Sequence, residues 1–189
     1  GAHEFVYNYD TYGRLDVMRY PSNTARPEVR IRNEYTPYGQ QARVHKIVRD
    51  DQSLLWERLD TDHFGQNINE IFGNGAITDI QRDPKTGLVE QIQTVHVDQA
   101  TQATTLLQDL HYTYNAHRHV SAKKDFTDAS NPLQEFYSYD FVDRLKGTTL
   151  CSQIVNSGDC SPVLSLEYDH LGNIRSKSDM GTYHYEDPF

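Results

Sequence analysis

The acidic residues are the first candidates for chemistry, since the chain carries 27 of them. Two carboxylates facing each other across a cleft would suit glycoside hydrolysis, with one acting as acid and the other as base or nucleophile. The aspartates that stand out are Asp10, Asp140 and Asp169, and each follows a tyrosine in a recurring phrase. A catalytic residue has no reason to recur with a structural period, whereas a residue that caps a turn must do so. We therefore predict a structural role for these aspartates and no catalytic residues. A glycosidase-like enzyme is a distant third hypothesis, behind a structural protein and a binding module.

Nine histidines raise the question of a metal site. His117 and His119 would share one face of an extended segment, and His111 lies on the preceding predicted strand. A zinc site needs three or four converging ligands, and the sequence pattern shows no such convergence. The sequence also lacks a nucleophile elbow and a phosphate-binding glycine loop. The prediction is therefore no metal and no cofactor.

A nine-residue phrase organises the chain, and its clearest copy is YNYDTYGRL at residues 7–15. Asp10 suits the first position of a type I turn, because its carboxylate can accept hydrogen bonds from nearby backbone N–H groups. Gly13 suits the position with φ above zero that ends such a turn and lets the next strand leave with the correct twist. The phrase therefore predicts a β-hairpin.

The phrase recurs along the chain, which predicts an array of hairpins. Good, worn and degenerate copies lie at residues 137–145, 166–174, 112–120, 35–40 and 62–66. Gly13, Gly39 and Gly65 follow one another at intervals of 26 residues. The residues predicted to form structural turns are Tyr9, Asp10, Gly13, Gly39, Gly65, Gly87, Tyr114, Tyr139, Asp140, Tyr168, Asp169 and Gly172.

Apolar and polar residues alternate between the copies with the period of half-buried strands. Strands are predicted around residues 5–9, 15–17, 29–31, 44–48, 54–59, 95–97 and 110–114, with a polar loop at 98–105. Residues 67–72 could form a helix, but the following Gly-Asn-Gly and the repeat register favour a strand. The predicted fold class is all-β, with antiparallel hairpins forming one long, twisted and curved sheet. We expect residues 1–4 to be a tag remnant and residues 5–189 to be a single array cut from a longer chain.

The composition excludes several classes of partner. The hydrophobic fraction is 37%, and the 13 tyrosines suit strands with one buried face and one solvent-exposed face. The net charge is −9, and the lysines and arginines are scattered. Nucleic-acid binding depends on phosphate neutralisation by basic residues, so no nucleic-acid partner is predicted. No apolar run is long enough for a membrane span.

The phrase resembles the YD repeat of RHS and YD-repeat proteins, which include bacterial polymorphic toxins, shell components of insecticidal toxin complexes and animal teneurins. Residues 72–88 and 177–185 are also similar to segments of these proteins. The resemblance covers nearly the whole chain. It implies that the sheet is a segment of a hollow shell enclosing a C-terminal toxin, in a secreted or surface-displayed bacterial protein. The partners it implies are flanking YD repeats and the enclosed toxin of the parent chain.

Cys151 and Cys160 bracket an insertion between two copies of the phrase. Two strands joined by a glycine-containing loop can bring such residues within disulfide reach, and the secretion that the resemblance implies would oxidise them. Two free thiols in a variable loop are the alternative. A zinc pair is disfavoured because the spacing matches no zinc pattern.

The repeated tyrosines support a second functional hypothesis. Rows of them on one face of the sheet would stabilise cross-strand packing, or would offer an aromatic platform for sugars. A carbohydrate-binding or cell-adhesion module is therefore the alternative to the shell segment. Unpaired terminal strands tend to associate, so an edge-to-edge homodimer is also expected.

Overall fold

The computed structural model describes residues 4–23, 27–98, 100–152 and 160–185. These residues contain no helix and form fifteen strands, which follow one another in the sheet in the order of the sequence. The strands are β1 (Val6–Tyr9), β2 (Leu15–Arg19), β3 (Val29–Tyr35), β4 (Gln41–Val48), β5 (Asp51–Thr61), β6 (Asn67–Phe72), β7 (Ala76–Arg82), β8 (Val89–Val97), β9 (Thr104–Tyr114), β10 (Val120–Asp125), β11 (Leu133–Tyr139), β12 (Leu145–Ser152), β13 (Cys160–Tyr168), β14 (Ile174–Lys177) and β15 (Gly181–Thr182). The predicted all-β array of antiparallel hairpins is confirmed.

The segment 67–72, for which a helix was the alternative, is strand β6. It has antiparallel partners on both sides, since Glu70 pairs with Arg58 of β5 and with Thr78 of β7. The Trp56 indole N–H on β5 also donates to the Glu70 carboxylate at 2.8 Å. The segment is thus held by pairing with a strand on each side, which a helix would have given up.

The predicted loop at 98–105 is shorter than expected. The Asp98 N–H donates to the Ala103 carbonyl at 2.9 Å, and β9 begins at Thr104. The Asp98 side chain accepts from the N–H of Thr101 at 2.7 Å, which completes the turn locally. The β-branched threonines at 104 and 105 therefore belong to the strand rather than to the loop.

The chain divides into two compact units. The first comprises Gly1–Leu88 and Gln93–Leu107, and the second comprises Val89–Ile92 and Gln108–Phe189. Strands β8 and β9 each contribute residues to both units.

Each unit has little buried apolar surface. Among the described residues, the buried apolar side chains are Val17, Ile47 and Ala76 in the first unit, and Ala122, Cys151 and Leu166 in the second. Most other strand residues are half-buried, as the burial patterns of β3 and β8 illustrate. A large central core is thus absent from the described residues of either unit, and the hairpins depend on contacts between neighbouring strands.

The connection between β1 and β2 shows how the phrase folds. The Gly13 N–H donates to the Asp10 carbonyl at 3.0 Å, and the Asp10 N–H donates to the Arg14 carbonyl at 2.8 Å. The strand register shifts between Asn8 and Tyr9. This is a type I turn followed by a residue with positive φ and a bulge, a common way to close a three- to five-residue hairpin loop.

Candidate functional site

The residues predicted to form the structural turns lie in the connections after β1, β3, β5, β7, β9, β11 and β13 or at the ends of those strands. The five predicted turn glycines have positive φ: Gly13 76°, Gly39 82°, Gly65 78°, Gly87 71° and Gly172 94°. The worn copies place non-glycine residues at the same point, Arg118 and Asp143, each with φ of 67°. These two departures from the phrase lie in successive copies of it, both in the second unit.

The first residue of each turn caps it with its side chain. Asp169 Oδ1 accepts from the N–H groups of Leu171 and Asn173 at 2.9 and 2.8 Å. Asn115 does the same in the worn copy, with the N–H groups of His117 and His119 at 2.9 and 3.0 Å. The side-chain hydrogen bond from Asn173 is the largest cause that lowers the pKa of Asp169. The capping carboxylates are therefore committed to the backbone and unsuited to acid–base work.

Two of the turns carry an arginine that links one hairpin to the next. The Arg14 Nε donates to Asp10 Oδ2 at 2.7 Å within its own turn, and its guanidinium lies 4.4 Å from the centroid of the Tyr35 ring in the next hairpin. Arg144 repeats this arrangement, with Asp140 at 2.7 Å and the Tyr168 ring at 4.4 Å. A cation over the face of an aromatic ring is attracted by the ring quadrupole.

Five tyrosine hydroxyls form a regular series, which we call the tyrosine ladder. Each donates to a backbone carbonyl in the preceding hairpin. The residue that supplies this carbonyl lies two positions after the residue with positive φ in the turn of that hairpin. The bonds are Tyr35 to Leu15 (2.8 Å) in the first unit, and Tyr114 to Val89 (2.7 Å), Tyr139 to Val120 (2.8 Å), Tyr168 to Leu145 (2.8 Å) and Tyr185 to Ile174 (3.0 Å) in the second.

The tyrosine ladder was missed by sequence reasoning, which considered only rows of rings on a sheet face. Its acceptors are backbone carbonyls, which have no sequence signature. A signal was available in the spacing, since four of the five ladder tyrosines, all but Tyr185, lie four residues before a residue with positive φ. Tyr9 holds that same position in the first hairpin, with its ring 62% exposed on β1.

The turns 115–119 and 140–144 meet through histidines. His119 takes the place of the linking arginine, and its ring centroid lies 4.9 Å from that of Tyr139. His117 Nδ1 lies 2.7 Å from Asp143 Oδ1, and His119 Nδ1 lies 3.7 Å from the same oxygen. His119 Nδ1 is buried and makes no hydrogen bond within the described residues.

A polar cluster of a tyrosine, a glutamate and a lysine lies on β10 and β11. The Tyr137 hydroxyl donates to Glu135 Oε2 at 2.6 Å, and Lys123 Nζ lies 3.0 Å from the same oxygen. Burial, assisted by the Glu135 carboxylate, raises the pKa of Tyr137 to about 12. A phenol that holds its proton so firmly is a poor base at neutral pH, so the cluster suits cross-strand stabilisation.

Cys151 and Cys160 form a disulfide between β12 and β13, where they stand directly opposite each other in the strand register. Residues 153–159, which contain most of the predicted insertion, lie outside the described residues. Cys151 is fully buried.

A shallow cleft separates the first two turns of the phrase type. It is lined by Tyr12, Arg14, Tyr35, Thr36, Pro37, Tyr38 and Gly39. The side chains of Tyr12 and Tyr38 are 81% and 92% exposed. The cleft therefore presents aromatic surface beside an arginine that is already paired with Asp10.

In the parts of the chain that the structure describes, no group of three or more histidine, cysteine or acidic side chains is placed to hold a metal ion. Over the same ranges, no helix has the length and apolar character required to cross a bilayer.

Solved structures share this fold. The chain aligns with a crystal structure of TcdB2-TccC3 without its hypervariable C-terminal region over 90% of its length, at 15% identity and a TM-score of 0.60. It aligns with a crystal structure of TcdB2-TccC3-TEV over 98% of its length (16%, 0.61), and with a TccC3-mutant Tc holotoxin pore of Photorhabdus luminescens over 97% (13%, 0.57). The chain spans only 10–12% of the length of those chains. No protein-family model and no curated protein sequence matches it.

Proposed function

We propose that the chain is a wall segment of an RHS/YD-repeat shell that encloses a C-terminal toxin of its parent protein and helps to deliver it. The observation that carries the proposal is the tyrosine ladder, in which five tyrosines each tie their own segment to the preceding hairpin by the same bond. The fold shared with TcdB2-TccC3, which was crystallised without its hypervariable C-terminal region, supports it.

The proposed mechanism is exclusion by a continuous hydrogen-bonded wall. The backbone N–H and C=O groups of neighbouring antiparallel strands hydrogen-bond to each other, and the tyrosine ladder adds five further bonds between a tyrosine and the preceding hairpin. Flanking YD repeats of the parent chain would extend the wall at its two edges. The enclosed passenger would then be kept from solvent and proteases until release.

We propose a non-catalytic role because the recurrent carboxylates are used in the turns. Asp10 Oδ1 accepts from the N–H groups of Tyr12 and Arg14, and Asp140 Oδ1 accepts from those of Val142 and Arg144. A general acid needs a carboxyl that can exchange a proton with a substrate. The disulfide between β12 and β13 supports a secreted or surface location, since such bonds persist in oxidising compartments.

The test uses the parent protein. Sequencing of the parent reading frame should reveal further YD phrases and a variable C-terminal region, and a protease site placed in that region should be cut slowly in the intact protein. The isolated C-terminal region carrying the same site is the matched control and should be cut rapidly. Equal cutting rates in the two samples, or a reading frame that ends in a surface anchor without such a region, would contradict the shell function.

A carbohydrate-binding or cell-adhesion module is the second candidate, favoured by the exposed tyrosines of the cleft between the first two turns. Tyr12→Ala combined with Tyr38→Ala should then abolish binding to a glycan array. Phe141→Ala, at an exposed turn of the second unit, is the control and should leave binding intact. An array with no bound glycan for the unaltered chain would exclude this candidate.

A further inference from the structure

The disulfide joins two strands whose surroundings differ. Cys151 lies on β12, where it pairs with Gln134 of β11 on one side and with Cys160 of β13 on the other. Cys151 is fully buried, and Gln134 is buried as well. The side chain of Cys151 is therefore closed to a molecule that arrives from solvent.

The first part of β13 lies at an edge. Among the described residues, β14 pairs with β13 only over residues 166–168. The three residues that follow Cys160 are exposed, namely Ser161, Pro162 and Val163. Pro162 has no backbone N–H, which suits a strand segment without a partner on one side. Cys160 is half-buried, so the disulfide is more accessible from its side than from that of Cys151.

We propose that Cys160 is the site at which a small thiol, such as a cysteine-containing peptide, attacks this disulfide and becomes attached to the chain. The attacking thiolate forms a bond to Cys160 Sγ. The electron pair of the broken S–S bond passes to Cys151 Sγ, which then takes a proton from solvent. A second thiol attacks the sulfur of the attached peptide, which leaves both cysteines reduced and the two peptides joined as an oxidised disulfide. The inference stands independently of the proposed shell function.

Access decides which sulfur is attacked. The rate of thiol–disulfide exchange depends on the sulfur that is attacked and on how easily the thiol reaches it. Attack at Cys151 would require β12 to separate from a neighbouring strand, whereas Cys160 borders the uncovered edge of β13. The Tyr168 hydroxyl bonds to the Leu145 carbonyl at the opposite end of the same strand pair, so the exchange acts on one end of that pair.

The test is a trapping experiment on the complete 189-residue chain. The folded chain is incubated with reduced glutathione, quenched with acid, alkylated with N-ethylmaleimide under denaturing conditions and digested at Asp159, which separates the two cysteines. We expect glutathione on Cys160 and the maleimide on Cys151. The same reaction in urea is the matched control and should place glutathione on both cysteines. An adduct on Cys151, an equal division between the two cysteines, or no adduct in the folded chain would overturn the proposal.

Single-cysteine variants give a second measurement, because their thiols cannot re-form the bond. Cys151→Ser leaves Cys160 free, and Cys160→Ser leaves Cys151 free. Each variant, once circular dichroism shows that it is folded, is reacted with oxidised glutathione, and its rate is divided by the rate of the same variant in urea. We expect the smaller ratio for Cys151, because burial shields it. Equal ratios for the two thiols would likewise contradict the assignment of Cys160.

Discussion

At the scale of single residues, Gly13 isolates the effect of backbone conformation. Its φ is 76°, and apart from the glycine itself and its two chain neighbours no atom lies within 4 Å of the place where a Cβ would stand. A larger residue there would meet open space, so the cost of a substitution comes from the left-handed conformation alone. Gly172 is similar, with φ of 94° and its nearest neighbour, Arg144 Nη1, at 3.6 Å.

We predict that Gly13→Val and Gly172→Val each lower the free energy of unfolding by about 1–3 kcal/mol, because a β-branched residue is strained at positive φ. Urea denaturation followed by circular dichroism measures the change. Gly13→Asn is the matched control, since asparagine tolerates this conformation, and it should cost clearly less. A valine variant as stable as the unaltered chain would show that the turn assignment is wrong.

We predict that Tyr168→Phe destabilises the second unit by about 0.5–1.5 kcal/mol, because the Leu145 carbonyl loses its donor in the tyrosine ladder. Tyr12→Phe is the control, since the Tyr12 side chain is exposed and forms no part of the tyrosine ladder. Thermal unfolding of both variants measures the difference. Equal melting temperatures would mean that the ladder bond contributes nothing to stability.

We predict a loss of stability in acid that comes partly from the turn caps. Hydrogen bonds from backbone N–H groups of Lys85 and Thr86 lower the pKa of Asp83, and the Asn173 side chain lowers that of Asp169. A carboxyl with a lowered folded pKa stabilises the protein above its unfolded pKa of about 4, and this contribution is lost as the pH falls through the folded value.

Asp169→Asn tests this source of acid sensitivity. Asparagine keeps the capping oxygen and does not titrate, and Asn115 already makes the same two bonds in its own turn. Melting temperatures between pH 7 and pH 2 should therefore fall less steeply for the variant. An identical pH profile would assign the acid sensitivity to other carboxyls.

At the scale of strands and hairpins, the disulfide is the strongest local constraint. We predict that the double variant Cys151→Ser, Cys160→Ser lowers the free energy of unfolding by about 2–4 kcal/mol, because closure of the loop no longer restricts the unfolded chain. Reduction of the unaltered chain should have the same effect. Denaturation with and without reductant measures it, and a midpoint that reduction leaves in place would contradict the prediction.

The array of hairpins could be predicted from sequence because the phrase carries its own turn chemistry. Asp10 and Gly13 specify a turn within five residues, and the flanking tyrosines alternate with the period of a strand. The ladder bonds could not be predicted in this way. They join a side chain to a backbone carbonyl some 11 to 25 residues away, and any residue type could supply that carbonyl. Likewise, the pairing of His117 with Asp143 depends on which turns become neighbours.

At the scale of the whole molecule, the exposed edge strand β1 dominates the expected solution behaviour. All four residues of β1 are exposed, among them Val6, Tyr7 and Tyr9. An uncovered strand with apolar side chains is a template for pairing with another chain. We predict concentration-dependent association through β1, the edge-to-edge dimer expected from the sequence.

Sedimentation velocity over a range of protein concentrations measures this association. Val6→Lys combined with Tyr7→Lys should shift the chain toward monomer, because lysine on an edge strand opposes pairing. Tyr38→Lys, at an exposed turn away from the edge, is the control and should leave the association unchanged. A monomer at every concentration for the unaltered chain would contradict the prediction.

The tyrosine ladder also bears on how such a chain can change over evolutionary time. Each tyrosine requires from its predecessor only a main-chain oxygen at a constant offset from the turn, as Tyr35 does from Leu15 and Tyr168 from Leu145. Duplication of one hairpin therefore supplies both halves of a new joint at once, provided that the copy keeps its tyrosine. Such a chain could gain or lose whole hairpins while the positions outside the turns and the tyrosine ladder diverge, consistent with 15–16% identity between this chain and structures that share its fold.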